Sequence, residues 1–228
     1  MSMIDLRKKA GIVLAKRKIH TVRARVGFAI DVSGSMKELY VRGVVQAVSE
    51  RFLALAMNLD DDGSMDAWAF DERMATLPTI TGSSIGGYVR REIMDSPISK
   101  WGGTAYAPPI AAARANWFEA ERVGGFLGFG GRKVEKPQTP ALLLFLTDGE
   151  NTDQRETETA IEATSSRPLY IQFIGIGGGS FPFIERMGDR YPNVGFMSVP
   201  DIASIPDDAL YEGLVTDELA TWLRAASA

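Results

Sequence analysis

Short, almost continuous apolar runs alternate with stretches of helical periodicity along most of the chain. Residues 24–31, 141–148, 169–176 and 194–199 are the runs. Apolar segments of roughly four to eight residues without strict alternation suit parallel strands covered by helices on both faces. Residues 65–70 alternate more, as would a strand with one more polar face. The run at 74–78 follows after only three residues, which leaves room for a hairpin but not for a crossover, and Pro78 marks it as an edge strand. Between the runs, Met36, Tyr40, Val44, Val48, Phe52, Leu55 and Leu59 recur at helical spacing and predict one long helix. Further helices are predicted over 84–94, from Pro108 or Pro109 to about Glu119, and after Asp153. There Asp153 would be the N-cap and Glu156 would complete a capping box. A last amphipathic helix carries Leu210, Leu214, Leu219, Trp222 and Leu223. The expectation is a doubly wound α/β fold: a mostly parallel central sheet with one antiparallel edge strand and helices on both faces.

Composition narrows the chemistry. The 228 residues include no cysteine and a single histidine, His20. Thiolate sites, imidazole-based zinc sites and Ser-His-Asp triads are thereby set aside, and any metal must be a hard ion held by oxygen. No apolar run approaches the roughly 20 residues of a membrane span. The apolar stretch 11–15 is too short for a signal peptide and is interrupted by Lys16-Arg17-Lys18, so a cytoplasmic protein is expected. The net charge of −4 conceals an asymmetry. Residues 1–25 hold eight basic side chains against Asp5, whereas the rest of the chain carries a balance of −11. An acidic body argues against nucleic acid as the ligand. Residues 1–23 are therefore expected to be a basic N-terminal arm, an ordinary solvated lead-in with docking on an acidic surface as the alternative, followed by one domain over 24–228. The glycine-rich stretch 124–140 is expected to be a long mobile or partner-binding loop.

Candidate chemistry gathers at strand ends. Asp31-Val-Ser33-Gly-Ser35 lies at the carboxyl end of the first run, where open α/β sheets bind their ligands. A turn through Gly34 can bring one carboxylate and two hydroxyls to one point. Thr147-Asp148-Gly149 offers a second carboxylate from another strand end, and Gly102-Gly103-Thr104 a third hydroxyl from a flexible turn. Trp101 and Tyr106 flank that turn as candidate aromatic contact area. Other motifs fall short. The Asp60-Asp61-Asp62-Gly63 segment resembles an EF-hand loop, but Ala69 stands where the bidentate glutamate belongs. The Gly175–Gly179 cluster lacks the third glycine of a dinucleotide fingerprint, and Gly195 stands where its acidic residue would be.

Asp31, Ser33, Ser35, Thr104 and Asp148 resemble, residue by residue, the metal-ion-dependent adhesion site of von Willebrand factor A (vWA) domains. The wording around them, Asp31-Val-Ser-Gly-Ser-Met-Lys-Glu-Leu-Tyr40 and Thr147-Asp-Gly-Glu-Asn151, is similar to the bacterial TerF-type branch associated with tellurium resistance. The resemblance implies one Mg2+ (or Mn2+ or Ca2+), with Ser33, Ser35 and Thr104 as direct ligands and Asp31 and Asp148 acting through water. It also implies a protein partner that supplies an Asp or Glu to the ion, a stress-response setting and no catalysis. Magnesium-dependent phosphoryl transfer is the alternative. Phosphatases with aspartate at a strand end commonly carry a second carboxylate two residues on, and that place here is Ser33.

Overall fold

The apolar runs do assemble into one sheet. The computed structural model describes residues 2–123, 132–134, 136 and 138–227. In chain order the elements are α1 (Met3–Lys16), β1 (Arg25–Asp31), a 3-10 turn at Gly34–Met36, α2 (Lys37–Val41) and α3 (Val44–Leu59). β2 (Met65–Phe70), β3 (Met74–Ile80), a π-turn at Arg90–Met94, α4 (Ala107–Phe118), β4 (Glu121–Val123) and β5 (Arg132–Val134) follow. The chain continues through β6 (Ala141–Thr147), α5 (Gln154–Thr164), β7 (Leu169–Ile176), α6 (Pro182–Arg190), β8 (Val194–Val199), α7 (Asp207–Leu214) and α8 (Asp217–Ala226). The main sheet has the order β3-β2-β1-β6-β7-β8, with every pair parallel except β2–β3. It is the doubly wound sheet with one antiparallel edge strand that the pattern predicts.

The two-sided apolar character of the strands has a direct cause. Val26, Phe28, Ile30, Leu142, Leu144 and Leu146 pack on one face with side chains of α1, α3, α7 and α8. Ala29, Leu143, Phe145, Ile171 and Phe173 pack on the other with α4, α5 and α6. From β1 the chain crosses to β2 on one side, and from β6 it crosses to β7 on the other. The sheet order therefore reverses between β1 and β6, and the crevice beyond their carboxyl ends is the expected ligand position.

Several helices differ from the sequence expectation. The predicted long helix is broken at Gly43, whose φ of 74° lies in the left-handed region that glycine tolerates. Of the helix expected over 84–94 only residues 88–94 are helical, as a π-helix over Arg90–Met94 preceded by one short α-helical step, because Thr81 and Ser84 bond locally through their hydroxyls and Gly86-Gly87 interrupt the run. The last helix is two, separated at Val215, with Thr216 capping α8 through a bond from the Leu219 N–H. Residues 121–123 and 132–134 pair as a small antiparallel ribbon. The rest of the glycine-rich stretch, apart from residues 136 and 138–140, lies outside the described residues.

The largest correction concerns the N-terminal arm. Residues 3–16 are not a solvated lead-in but a helix capped by Ser2 and Asp5, with Leu6, Ala10, Val13 and Leu14 buried. Fully burying a Leu or Val stabilises by about 1.5–3 kcal/mol, which is more than a solvated face of charges offers. Its basic side chains reach acids of the body: Lys9 to Asp207 at 2.8 Å, Lys16 to Glu212 at 2.6 Å and Arg17 to Asp217 at 2.6 Å. The acidic surface that this segment docks on is the chain's own.

Candidate functional site

The end of β1 is held by an unusually complete set of bonds. Asp31 is fully buried. Its Oδ1 accepts the Ser33 N–H at 2.7 Å and its Oδ2 accepts the Thr147 hydroxyl at 2.6 Å. The Tyr40 hydroxyl, from α2, donates to the Asp31 carbonyl at 2.7 Å. Val32 donates to the Phe70 carbonyl at 2.8 Å and so carries the β1–β2 ladder one residue further. The chain then turns through Gly34–Met36. This places the Ser33 and Ser35 hydroxyl oxygens 3.2 Å apart, and the Ser35 hydroxyl donates to Asp148 Oδ1 at 2.7 Å. Four of the five predicted residues therefore form one connected cluster: Asp31, Ser33, Ser35 and Asp148.

Thr104 arrives on a separate segment. Trp101 donates to the Val32 carbonyl at 2.7 Å and Gly34 donates to the Gly102 carbonyl at 3.1 Å, which fixes residues 101–103 against the serine turn. Gly102 fits closely there: a Cβ would come within 2.9 Å of Asp71 Oδ2 and 3.1 Å of Glu72 Oε1, so those carboxylates or the turn would have to shift. The Thr104 carbonyl accepts the Thr152 N–H at 2.9 Å and the Thr152 hydroxyl at 3.1 Å, tying this turn to the β6–α5 loop. The Thr104 hydroxyl itself makes no hydrogen bond to the other four residues.

The supporting roles of three residues named in the sequence are set by the fold. Thr147 bridges β6 to Asp31, and Tyr106 bonds to Thr147 at 3.1 Å and to the Gly149 carbonyl. Tyr106 is fully buried, so it underpins the loop and offers no partner contact, contrary to expectation. Asp153 stands at the N-cap position of α5 without capping that helix. Its carboxylate instead takes the Tyr106 N–H at 3.0 Å and the Ala107 N–H at 2.9 Å, capping α4 across the site. Trp101 is half-buried and stands edge-on to Tyr40 at 5.3 Å, with a left-handed φ of 71° that is rare for a bulky residue. Strained backbone of this kind clusters at functional sites.

The electrostatics point the same way. Burial pushes the Asp31 carboxyl up to about 6, against the lowering effect of its bonds from Ser33 and Thr147. Burial also raises Asp148. Neither aspartate is in an ion pair with a lysine or arginine among the described residues. The site thus holds two carboxylates and a row of neutral hydroxyls with no cation of its own. Oxygen-only donors suit a hard divalent ion. Among the described residues no three carboxylates or imidazoles converge, and the side-chain oxygens gathered beside Asp31 and Asp148 are the hydroxyls of Ser33, Ser35 and Thr147.

A family model described as the vWA found in the TerF C terminus matches residues 23–228. The chain belongs to the TerF-type vWA family. The Bacillus subtilis protein YcbR is 34% identical over 231 residues, 99% of this chain and 88% of that protein. Among solved structures, a von Willebrand factor type A protein from Catenulispora acidiphila superposes with a TM-score of 0.55 at 16% identity, covering 90% of this chain and 42% of that one. Proximal thread matrix protein 1 of the mussel byssus, in a form with a zinc-occupied MIDAS motif, gives 0.52 at 17% identity, covering 90% and 47%. At these identities the likeness is one of fold, and this vWA chain spans less than half the length of those two solved chains. No helix among the described residues is long and apolar enough to cross a membrane.

Proposed function

We propose that this vWA domain is a metal-dependent protein-binding module and catalyses no reaction. The observation that carries the reading is the convergence of Ser33, Ser35 and Asp148 beside a buried, cation-free Asp31. Ser33, Ser35 and Thr104 would hold one Mg2+, Mn2+ or Ca2+ through their hydroxyls. The Ser35 hydroxyl donates to Asp148, so Ser33 is the donor in their 3.2 Å contact and one Ser35 lone pair is left for a cation. Asp31 accepts one hydrogen bond on each carboxylate oxygen, so it suits a role one water away that balances charge and orients the serine turn. The bound ion would supply an electrophilic position for an external carboxylate. Neutral direct ligands leave most of its charge uncompensated, so a partner's Asp or Glu would bind there more strongly than water. The zinc-occupied motif of the mussel protein supports a divalent ion at such a site.

Phosphoryl transfer fits less well, because Ser33 occupies the place of the second carboxylate and, among the described residues, the two aspartates have no arginine or lysine paired with them. The TerF name of the family model supports a bacterial tellurium-resistance or related stress role, and we place that role in the cytoplasm with a protein partner and not nucleic acid. The test is affinity capture from the native host with Mg2+ and with EDTA, using Thr104→Ala as a second control. A partner retained only with the metal and lost with Thr104→Ala is expected. Retention of the same partner in EDTA would reduce the ion to a structural role.

A further inference from the structure

Strand β7 is buried along its whole length, and Gln172 is the one amide in its largely apolar run. The Gln172 Nε2 donates to the Phe173 carbonyl at 3.3 Å, which fixes the direction of the amide. Its Oε1 accepts no hydrogen bond from any described residue, although the side chain is fully buried. A buried acceptor left unmatched costs stability, and an apolar side chain of the same shape would avoid that cost. Folding alone therefore does not account for Gln172.

Gly195, on the edge strand β8, is its register partner. The Gly195 φ lies outside the left-handed region, so conformation does not demand glycine. Contacts do. A Cβ there would come within 2.4 Å of Gln172 Oε1 and 2.7 Å of the Tyr170 hydroxyl. The missing side chain thus makes room for two polar atoms of β7 beside the edge strand. The Tyr170 hydroxyl also bonds to no described residue. Burial and the Glu218 carboxylate push it up to about 12, so it stays a neutral hydroxyl.

Tyr170, Gln172 and Gly195 line one cleft of about 370 Å³. Glu185 and Asp189 of α6 and Glu218 of α8 line it too, and no described lysine, arginine or histidine does, so its formal charge is −3. None of these three acids is in an ion pair among the described residues. They do not converge on one point, since no three carboxylates or imidazoles among the described residues could hold a metal ion. Negative charge spread over a cleft of this size suits an elongated organic cation.

We propose that this cleft binds an aliphatic polyamine, with one primary ammonium on Gln172 Oε1 and the Tyr170 hydroxyl oxygen and the remaining ammonium charge against Glu185, Asp189 and Glu218. An ammonium carries three donors and no acceptor, which matches two oxygens that lack donors. A single lysine side chain would offset only one of the three negative charges. None of the five candidate metal residues lines the cleft, so the site is separate from the metal-dependent reading.

The probe is spermidine, titrated calorimetrically into the full chain in EDTA at low salt. Saturable binding at one site per chain is expected. Gln172→Leu and Glu218→Gln should each weaken it at least about tenfold. Glu156→Gln, at an exposed position on α5 outside the cleft, should leave it unchanged. Gln172→Leu should keep or raise the melting temperature, because it removes an unmatched acceptor. Should that variant fold poorly, Glu218→Gln at its exposed position carries the test. Capped lysine, with one ammonium, should bind at least about tenfold more weakly than spermidine. Equal binding of capped lysine would overturn the polyamine assignment. No saturable binding at millimolar spermidine, or the same loss in Glu156→Gln as in the cleft variants, would overturn the site.

Discussion

Asp31→Asn should make the metal-free protein more stable, and the size of the gain follows from the site. Asp31 is fully buried and unpaired with any cation, and its carboxyl is pushed up to about 6 from 3.8. A raised folded-state pKa means that the fold prefers the protonated acid. As pH rises from about 4 the unfolded chain loses this proton first, and the fold loses stability until pH passes about 6. Above that the full penalty applies. At about 1.4 kcal/mol per pKa unit it is about 3 kcal/mol. Asparagine keeps an acceptor for the Ser33 N–H, and its amide can donate to Thr147, whose own proton can turn to the Gly149 carbonyl at 3.2 Å. Little hydrogen bonding is lost, so most of the penalty should be recovered. For a chain of this size each kcal/mol moves the melting temperature by about 2–4 °C. Calorimetry in EDTA at pH 7.5 should therefore show Asp31→Asn melting about 4–10 °C above wild type, with the gain vanishing near pH 4. Metal at about 100 times its dissociation constant should add about 2.7 kcal/mol to wild type and much less to the variant. An asparagine variant that melts below wild type in EDTA at pH 7.5 would refute the reasoning.

Three further outcomes are expected. Circular dichroism in EDTA should show a fully folded chain, because the core strands are buried by apolar packing on both faces and not by an ion; an unfolded spectrum would contradict this. Asp207→Asn should cost about 3 kcal/mol in urea unfolding, since Asp207 is only 6% exposed and holds both Lys9 at 2.8 Å and Arg51 at 2.9 Å. A cost under about 1 kcal/mol would mean the pair of cations is solvated without it. Gly102→Ala should push the 101–104 turn away from Asp71 and weaken Mn2+ binding about tenfold or more. Unchanged affinity in a titration would show that the turn does not set the site.

How far the sequence carried depended on what each residue was bonded to. The strands and their two-sided burial were readable because their apolar runs have no other use. The D-x-S-x-S turn was readable because its hydroxyls sit at a strand end. The α1 helix was hidden because its charges looked like a solvated run, although Leu6, Ala10, Val13 and Leu14 hold the i, i+4, i+7, i+8 spacing of a buried stripe. The α6 helix carried a signal too, in Pro182 at its start and Phe183, Ile184 and Met187 along one face. Asp153 was misassigned for a physical reason: a capping carboxylate near a helix start can serve another helix, and no local spacing reveals Tyr106 and Ala107 as its partners. The same holds for Thr147, whose role depends on the register that sets β6 beside β1.

The central claim is that Ser33, Ser35, Thr104, Asp31 and Asp148 hold one divalent ion. Calorimetric titration of Mn2+ into wild type, Ser33→Ala and Asp148→Ala tests it most directly. One site per chain in wild type, with binding abolished in both variants while their metal-free melting curves stay cooperative, is the predicted result. Binding to wild type that persists unchanged in both variants, or no binding to wild type at all, would contradict the account.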